Sequence, residues 1–257
     1  MVGKVFVFDL DDTLIDNVHD YSEPILDACR LIVKTFGRKA PHVDVIIALE
    51  HEIDSRRVKE TNPDTGQPFL YSMERFPGSM VEVYREIAKR AGVIPDSELE
   101  KDFYAIGMQA FDKSRYARNI HPAAKRVLNY LTVKGDKVAL LTKGDATVQR
   151  KKIAVLKNAG IWHFSAVQVV DQKLPISFSL MARDFLPSSA RLTFYSVGNS
   201  YESDIKPALI AGFKGVLVPV ETWDLIGKMD EVIKEAKENG VLVFNDLNDI
   251  ITRYEEL

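Results

Sequence analysis

The sequence predicts an α/β protein: a doubly wound parallel sheet with an α-helical domain inserted after its first strand. Six short apolar, β-rich runs recur along the chain, and all but the first gap between them carry helical periodicity. The first gap, almost 130 residues between Phe8 and Lys137, holds several helix signals and no strong strand signal.

The strand runs are Lys4–Phe8, Lys137–Leu141, Ala166–Val170, Leu192–Val197, Gly215–Val218 and Val241–Phe244. Val5–Phe8 and Val138–Leu141 are apolar without alternation, which fits strands covered by helices on both faces. Strands alternating with helices imply right-handed crossovers. Within the first gap, Ser22 and Pro24 open a helix with Ile25, Ile32 and Phe36 on one face, stopped at Gly37. Ser79 and Glu82 have capping-box spacing before Val83, Ile87 and Arg90, with Gly92 as the stop. Ser97 and Glu100 form a second such pair, leading into Phe103, Ile106 and Ala110. Pro122 then reads as a first-turn proline, and Gly135 as the end of that helix. The insertion is therefore placed at roughly residues 18–115, with 1–17 and 116–257 forming the α/β core. Thr61–Pro68 reads as a turn-rich loop inside the insertion.

The 257 residues carry 34 Lys plus Arg against 37 Asp plus Glu, a net charge of -3. That balance argues against nucleic acid as a partner, because a phosphate-backbone binder needs a basic excess. With 46% hydrophobic and 28% charged residues the composition is that of a globular protein. The single Cys29 excludes an internal disulfide, and no Cys/His cluster has zinc spacing. Met1-Val2-Gly3-Lys4 runs straight into the first strand pattern, with no signal-peptide-like stretch. No run approaches the roughly 18 apolar residues of a membrane span. A cytoplasmic location without a membrane partner is the expectation.

The chemistry-bearing residues lie at strand ends, where open α/β sheets hold their ligands. The first strand runs into Asp9-Leu10-Asp11-Asp12-Thr13. In extended backbone, Asp9 and Asp11 point to the same side. Two carboxylates so close ionise together easily only with a cation between them or with one proton shared. Such a pair suits covalent acid–base chemistry, one acid attacking while the other moves protons. Without partners, the same pattern is an acid-rich turn. Thr142 closes the second strand before Lys143-Gly144-Asp145, where a hydroxyl and helix-start N–H groups would form an anion cradle and Asp145 a cap. Thr142 alone is equally a β-former. Lys173, past the third strand and two residues before Pro175, is either a fixed charge over the site or a solvated loop lysine. Gly198-Asn199-Ser200-Tyr201-Glu202-Ser203-Asp204 offers hard oxygens to a small divalent cation, or is a glycine turn with Asp204 as helix cap.

Taken in order, these segments resemble the four motifs of the haloacid dehalogenase superfamily, mostly magnesium-dependent phosphatases that pass through an aspartyl-phosphate. The motifs are Asp9–Thr13, Thr142, Lys173 and Gly198–Asp204, and the resemblance spans the chain. His121-Pro122 matches the family's approach to the second strand. The resemblance implies a Rossmann-like core, a type-one helical cap over 18–115, Mg2+ as cofactor and a small phosphorylated metabolite as substrate. It implies Asp9 as nucleophile and metal ligand, and Asp11 as general acid and base with its carbonyl on the metal. Thr142 would bind the phosphoryl group with the backbone at Lys143 and Gly144; Lys173 would neutralise charge; Asn199 and Asp204 would complete the metal site. Two departures stand out. Asn199 occupies a position where the family more often has an acid, which implies a weaker hold on the cation. Lys143 stands where a small or amide residue is commoner, so it either adds to phosphate binding or pairs with an acid such as Asp145.

Asp12 reads as a turn residue and Asp16 as a support of the loop into the insertion. Arg56, Arg57, Lys59, Arg75 and Arg115 read as a solvated helix face rather than substrate contacts. His19, His42, His51, His121 and His163 lack ligand spacing, and Trp162 and Trp223 read as core or edge packing. On the same core, the competing reactions are carbon–halogen hydrolysis through an aspartyl ester, and phosphoryl transfer to a sugar. From a different class comes a non-catalytic binding protein. Asp11 argues for phosphate, because dehalogenation does not need an acid there, while Asn199 tilts the other way.

Overall fold

Val5 and Val7 point to one side of the first strand and Phe6 and Phe8 to the other, and both sides are buried. In the computed structural model, residues 3–185, 192–222 and 225–257 are described, and Trp223 lies outside them. The chain forms two compact units, residues 1–17 with 116–257, and residues 18–115.

In chain order the elements are β1 (Gly3–Phe8), α1 (Val18–Phe36), α2 (Val43–Arg57), α3 (Arg75–Arg90), α4 (Ser97–Met108), α5 (Lys113–Arg118) and α6 (Ala124–Val133). Then come β2 (Lys137–Lys143), α7 (Ala146–Asn158), β3 (Phe164–Val170), α8 (Pro175–Arg183), β4 (Leu192–Gly198), α9 (Lys206–Ile210), β5 (Lys214–Leu217), α10 (Met229–Glu238), β6 (Leu242–Val243) and α11 (Asp249–Thr252).

Among the described residues the strands form one six-stranded sheet in the order β3-β2-β1-β4-β5-β6, every neighbouring pair parallel. The order reverses direction at β1, so the tips of β1 and β4 flank the switch point where such sheets bind ligands. One face packs Phe6 and Phe8 against Val127, Leu128 and Leu131 of α6 and Leu156 of α7. The other packs Val5, Val7 and Leu141 against Phe178 and Met181 of α8 and Phe213. Burial on both faces explains why the two central strands read as unbroken apolar runs. Phe6 also stacks on Tyr195 of β4 with ring centroids 4.9 Å apart.

The other unit is helical. Its interior holds Ile25, Ile32 and Phe36 of α1, Ile46, Leu49 and Ile53 of α2, and Met80, Val83 and Ile87 of α3. Tyr84 stacks on Phe103 at 4.8 Å, and its hydroxyl accepts the Asp96 N–H at 2.9 Å. No described helix is long and apolar enough to cross a membrane.

Helix stops at Gly37, Gly92 and Gly135 fall where expected, with φ of +53, +69 and +86°. Helix starts differ. The first helix begins at Val18, and Pro24 lies buried inside it, at the cost of one backbone hydrogen bond. The Ser79–Glu82 pair is not a cap: α3 starts one turn earlier at Arg75, Ser79 Oγ donates to the Arg75 carbonyl and to Asp54 Oδ1 at 3.0 Å each, and Glu82 accepts from Arg56 and Arg57. At α4 the cap is Asp96, whose Oδ1 accepts from Glu98 and Leu99, while Glu100 is held by Arg85 through two 2.7 Å bonds. Pro122 precedes the first turn of α6, where His121 Nδ1 accepts the Ala123 N–H at 3.1 Å. For Ser79, Glu82 and Glu100, side chains of neighbouring helices outcompeted the local spacing rule. Three of the cationic side chains read as a solvated face are instead largely buried and engaged within the helical unit: Arg75 with Asp54, Arg57 with Glu82, and Arg115 with Glu23. Trp162 is half-exposed and packs edge-on to Phe164 at 6.2 Å.

One acid in this unit makes a testable cost. Glu50 of α2 is buried, and its Oε1 has no hydrogen-bond partner among the described residues. Burial first, then the Asp54 charge, pushes its carboxyl up to about 8 against the pull of Arg75. The folded value lies above the unfolded one, so the protein is favoured by the protonated acid and loses stability as pH rises from about 4.5 towards about 8. Glu50→Gln is expected to flatten that slope, gaining on the order of a few kcal/mol at the alkaline end. Denaturant unfolding of the full chain across this range checks it; an unchanged slope contradicts it.

Candidate active site

β1 continues one residue past its last paired position: the Asp9 N–H donates to the Val197 carbonyl of β4 at 2.9 Å. This bond sets the buried Asp9 carboxylate at the switch point. Lys173, from the loop between β3 and α8, is buried there too. Its Nζ donates to Asp9 Oδ1 at 2.5 Å and to Asp204 Oδ1 at 2.6 Å. The loop is anchored by Pro175 in the first turn of α8 and by the Ser177 hydroxyl, which accepts the Leu174 N–H at 3.3 Å.

Asp204 sits in a single π turn, Tyr201–Ile205, a form that recurs at functional sites. Its Oδ2 accepts the Ser200 N–H at 2.9 Å, and the buried Ser196 hydroxyl donates to its carbonyl at 2.7 Å. It is not a helix cap; Ser200 fills that place by accepting from the Ser203 N–H. Gly198 is required by this arrangement, because a Cβ there would overlap the Asp204 carboxyl group. Asn199 beside it is buried.

Burial first, then the Asp204 charge, raises the Asp9 carboxyl to about 7, against the lowering pull of Lys173. For Lys173, burial disfavours the ammonium, but the two carboxylates outweigh it and shift its proton affinity upward. The pair is thus a buried anion held by a cation that stays charged.

Asp11 takes a different set of partners. Its Oδ1 accepts from Lys152 Nζ at 2.6 Å and its Oδ2 from Gln149 Nε2 at 2.8 Å, both residues of α7. Its charge still raises the Asp9 carboxyl, which places the two acids in electrostatic contact. Asp12 adopts a left-handed turn with φ +56°, and its Oδ1 accepts the Asn17 N–H at 2.7 Å. The Asp16 N–H donates to the Asn119 carbonyl at 2.8 Å.

The expected anion cradle differs in detail. Thr142 is buried at the end of β2, and its hydroxyl donates to Gln149 Oε1 at 3.2 Å. The helix-start N–H groups of Thr147 and Val148 are accepted by Asp145, as expected of a cap, so they are engaged within the chain. The Gly144 N–H donates to the Val170 carbonyl at 3.0 Å. Gly144 instead makes room: with φ +129°, any Cβ would press on Gln149 Nε2. Lys143 is half-buried beside it, and its carbonyl accepts from Gln149 Nε2 at 3.1 Å.

Gln149 and Lys152 escape the strand-end reading, since they lie three residues apart inside a helix. The available signal was a lysine in line with the buried stripe of Val148, Ile153 and Leu156.

Among the described residues, no three His, Cys, Asp or Glu side chains are grouped to hold a metal ion. The expected ligand set contains fewer such side chains than that: the carboxylates of Asp9 and Asp204, the Asn199 amide and the Asp11 carbonyl. Its chemistry fits a hard divalent cation, because all four groups offer oxygen atoms and two of them are carboxylates.

No protein-family model matches the chain. It is 24% identical to a phosphoserine phosphatase of Thermus thermophilus, with 84% of this chain and 88% of that protein covered. Among solved structures, a haloacid dehalogenase-like family hydrolase from Xanthomonas campestris superposes with a TM-score of 0.58 at 20% identity, covering 93% of this chain and 98% of the other. A 2-haloacid dehalogenase from Pseudomonas syringae superposes with a TM-score of 0.50 at 21% identity, covering 99% of this chain and 100% of that one. The chain thus shares the fold of these haloacid dehalogenase-like proteins.

Proposed function

We propose that the protein is a magnesium-dependent phosphomonoesterase that hydrolyses a small phosphorylated metabolite through an aspartyl-phosphate on Asp9. The observation that carries this reading is the Lys173 ammonium held between Asp9 and Asp204 at 2.5 and 2.6 Å, with Asp11 fixed alongside. An anionic nucleophile meets an anionic ester only where positive charge screens both. A divalent ion on Asp9, Asp204, Asn199 and the Asp11 carbonyl would supply the rest of that screening when bound.

The chain's own groups then divide the work. Asp9 Oδ attacks phosphorus in line as the phosphorus–oxygen ester bond breaks. Asp11 gives its proton to the departing alkoxide. Lys173 holds Asp9 aligned and balances charge on the phosphoryl oxygens. The Thr142 hydroxyl turns from Gln149 to donate to one of those oxygens. A water then attacks the aspartyl-phosphate at phosphorus, losing its proton to Asp11, and Asp9 leaves as a carboxylate. The helical unit, residues 18–115, acts as a cap that selects the leaving group and excludes bulk water.

The similarity to a phosphoserine phosphatase supports phosphate as the substrate class. Asn199 in place of an acid favours a second reading, metal-free dehalogenation. The purified chain is expected to release 4-nitrophenol from 4-nitrophenyl phosphate with Mg2+, and to lose at least about a hundredfold of that rate in EDTA. Chloride release from chloroacetate without metal would instead establish the dehalogenase. Silence on a broad panel of phosphate esters with Mg2+ would leave a binding protein.

A further inference from the structure

Resting on that reading, we infer that Lys152 and Gln149 are positioning residues that clamp Asp11 in place for its proton transfers. Both project from the inward side of α7 onto the loop after β1. Lys152 Nζ donates to Asp11 Oδ1 at 2.6 Å and to Asn17 Oδ1 at 2.6 Å. Gln149 Nε2 donates to Asp11 Oδ2 at 2.8 Å and to the Lys143 carbonyl at 3.1 Å. Each carboxylate oxygen thus has its own donor, so the group is held in one rotamer.

The orientation of the Gln149 amide follows from its partners. A carboxylate and a backbone carbonyl only accept, so the amide nitrogen must face them. The amide oxygen then receives the Thr142 hydroxyl at 3.2 Å. Gln149 in this way joins the proposed acid–base group to the proposed phosphoryl-binding group through one rigid side chain. Gly144 keeps the space open for that amide.

Lys152 is only 2% exposed, on a helix face otherwise committed to the core. A buried ammonium is costly unless a charge compensates it, and Asp11 supplies that charge. Asn17 completes the clamp, its own N–H held by Asp12 Oδ1 at 2.7 Å.

The test separates leaving groups. Departure of 4-nitrophenolate needs no proton, whereas an alkyl alkoxide does. Lys152→Met is expected to lower kcat for an alkyl phosphate by about a hundredfold, within the usual range for lost acid–base help. KM and the pre-steady-state burst of 4-nitrophenol stay within about threefold of wild type, since aspartylation there bypasses Asp11. In an Asp11→Asn background, adding Lys152→Met leaves the alkyl-to-aryl ratio within about twofold, because residues acting as a unit are non-additive. Gln149→Leu, read by its alkyl-to-aryl ratio alone because Thr142 loses an acceptor as well, decides the matter if Lys152→Met does not fold. Equal losses on both leaving groups, or a full additional loss in the Asp11→Asn background, would overturn the inference while the wild-type burst upholds the phosphatase reading. Absence of any wild-type turnover of phosphate esters with Mg2+ would overturn both.

Discussion

Asp9→Asn is expected to lower kcat by at least about 10⁴-fold while leaving the protein folded. An amide oxygen cannot take the place of a carboxylate that forms a bond to phosphorus, and no neighbouring acid is free to replace it: Asp204 is fixed by Lys173 and Ser200, and Asp11 by Lys152 and Gln149. Stability moves the other way. The folded Asp9 carboxyl titrates at about 7, above its ordinary 3.8, so ionised Asp9 costs the fold stability as pH rises through that interval. In EDTA, Asp9→Asn is therefore expected to be at least as stable as wild type at pH about 8, with the difference shrinking as pH falls from about 7 towards about 4. Paired measurements of turnover and denaturant unfolding check both halves. Retained turnover, or a collapse of the fold, would contradict the assignment.

Lys173→Met is expected to be severe on both counts. It leaves Asp9 and Asp204 buried side by side without their shared cation, and breaking a buried pair in this way costs about 3–5 kcal/mol. The loss is expected to be greatest in EDTA at alkaline pH, and to ease as pH falls and the acids take up protons. Turnover is expected to fall by at least about a thousandfold even where the variant is folded, because the repulsion between nucleophile and phosphate is left unscreened. Unfolding curves at pH about 5 and 8, with steady-state rates under conditions where the variant is folded, separate these effects. A variant as stable as wild type at alkaline pH would show that Lys173 does not carry the charge of this centre.

Much of this centre was legible in the sequence because it sits at strand ends. The apolar runs Val5–Phe8 and Val138–Leu141 locate two strands, and Asp9, Asp11 and Thr142 follow from where they stop. Lys173 and Asp204 were legible as residue types at the right places, but their shared contact with Asp9 is a product of crossovers spanning the sheet. What could not be read was tertiary. The α7 lysine that holds Asp11 looks, in sequence, like any lysine reaching from a helix flank to water. The first-turn N–H groups of α7 look available to an anion until Asp145 is seen to take them. Helix starts were displaced where Glu82, Glu100 and Ser79 found partners on neighbouring helices. The second helix left little amphipathic signal because Glu50 lies among its buried residues Ile46, Leu49 and Ile53.

In the proposed reaction Asp9 itself becomes bonded to phosphorus during turnover. Acid quenching of the enzyme during turnover of a phosphate ester with Mg2+, followed by borohydride reduction and peptide mass analysis, tests this directly. Reduction of an aspartyl-phosphate is expected to convert residue 9, and no other acid, into homoserine. Turnover at full rate with residue 9 recovered only as aspartate, or with the label on Asp11 or Asp204, would contradict the account.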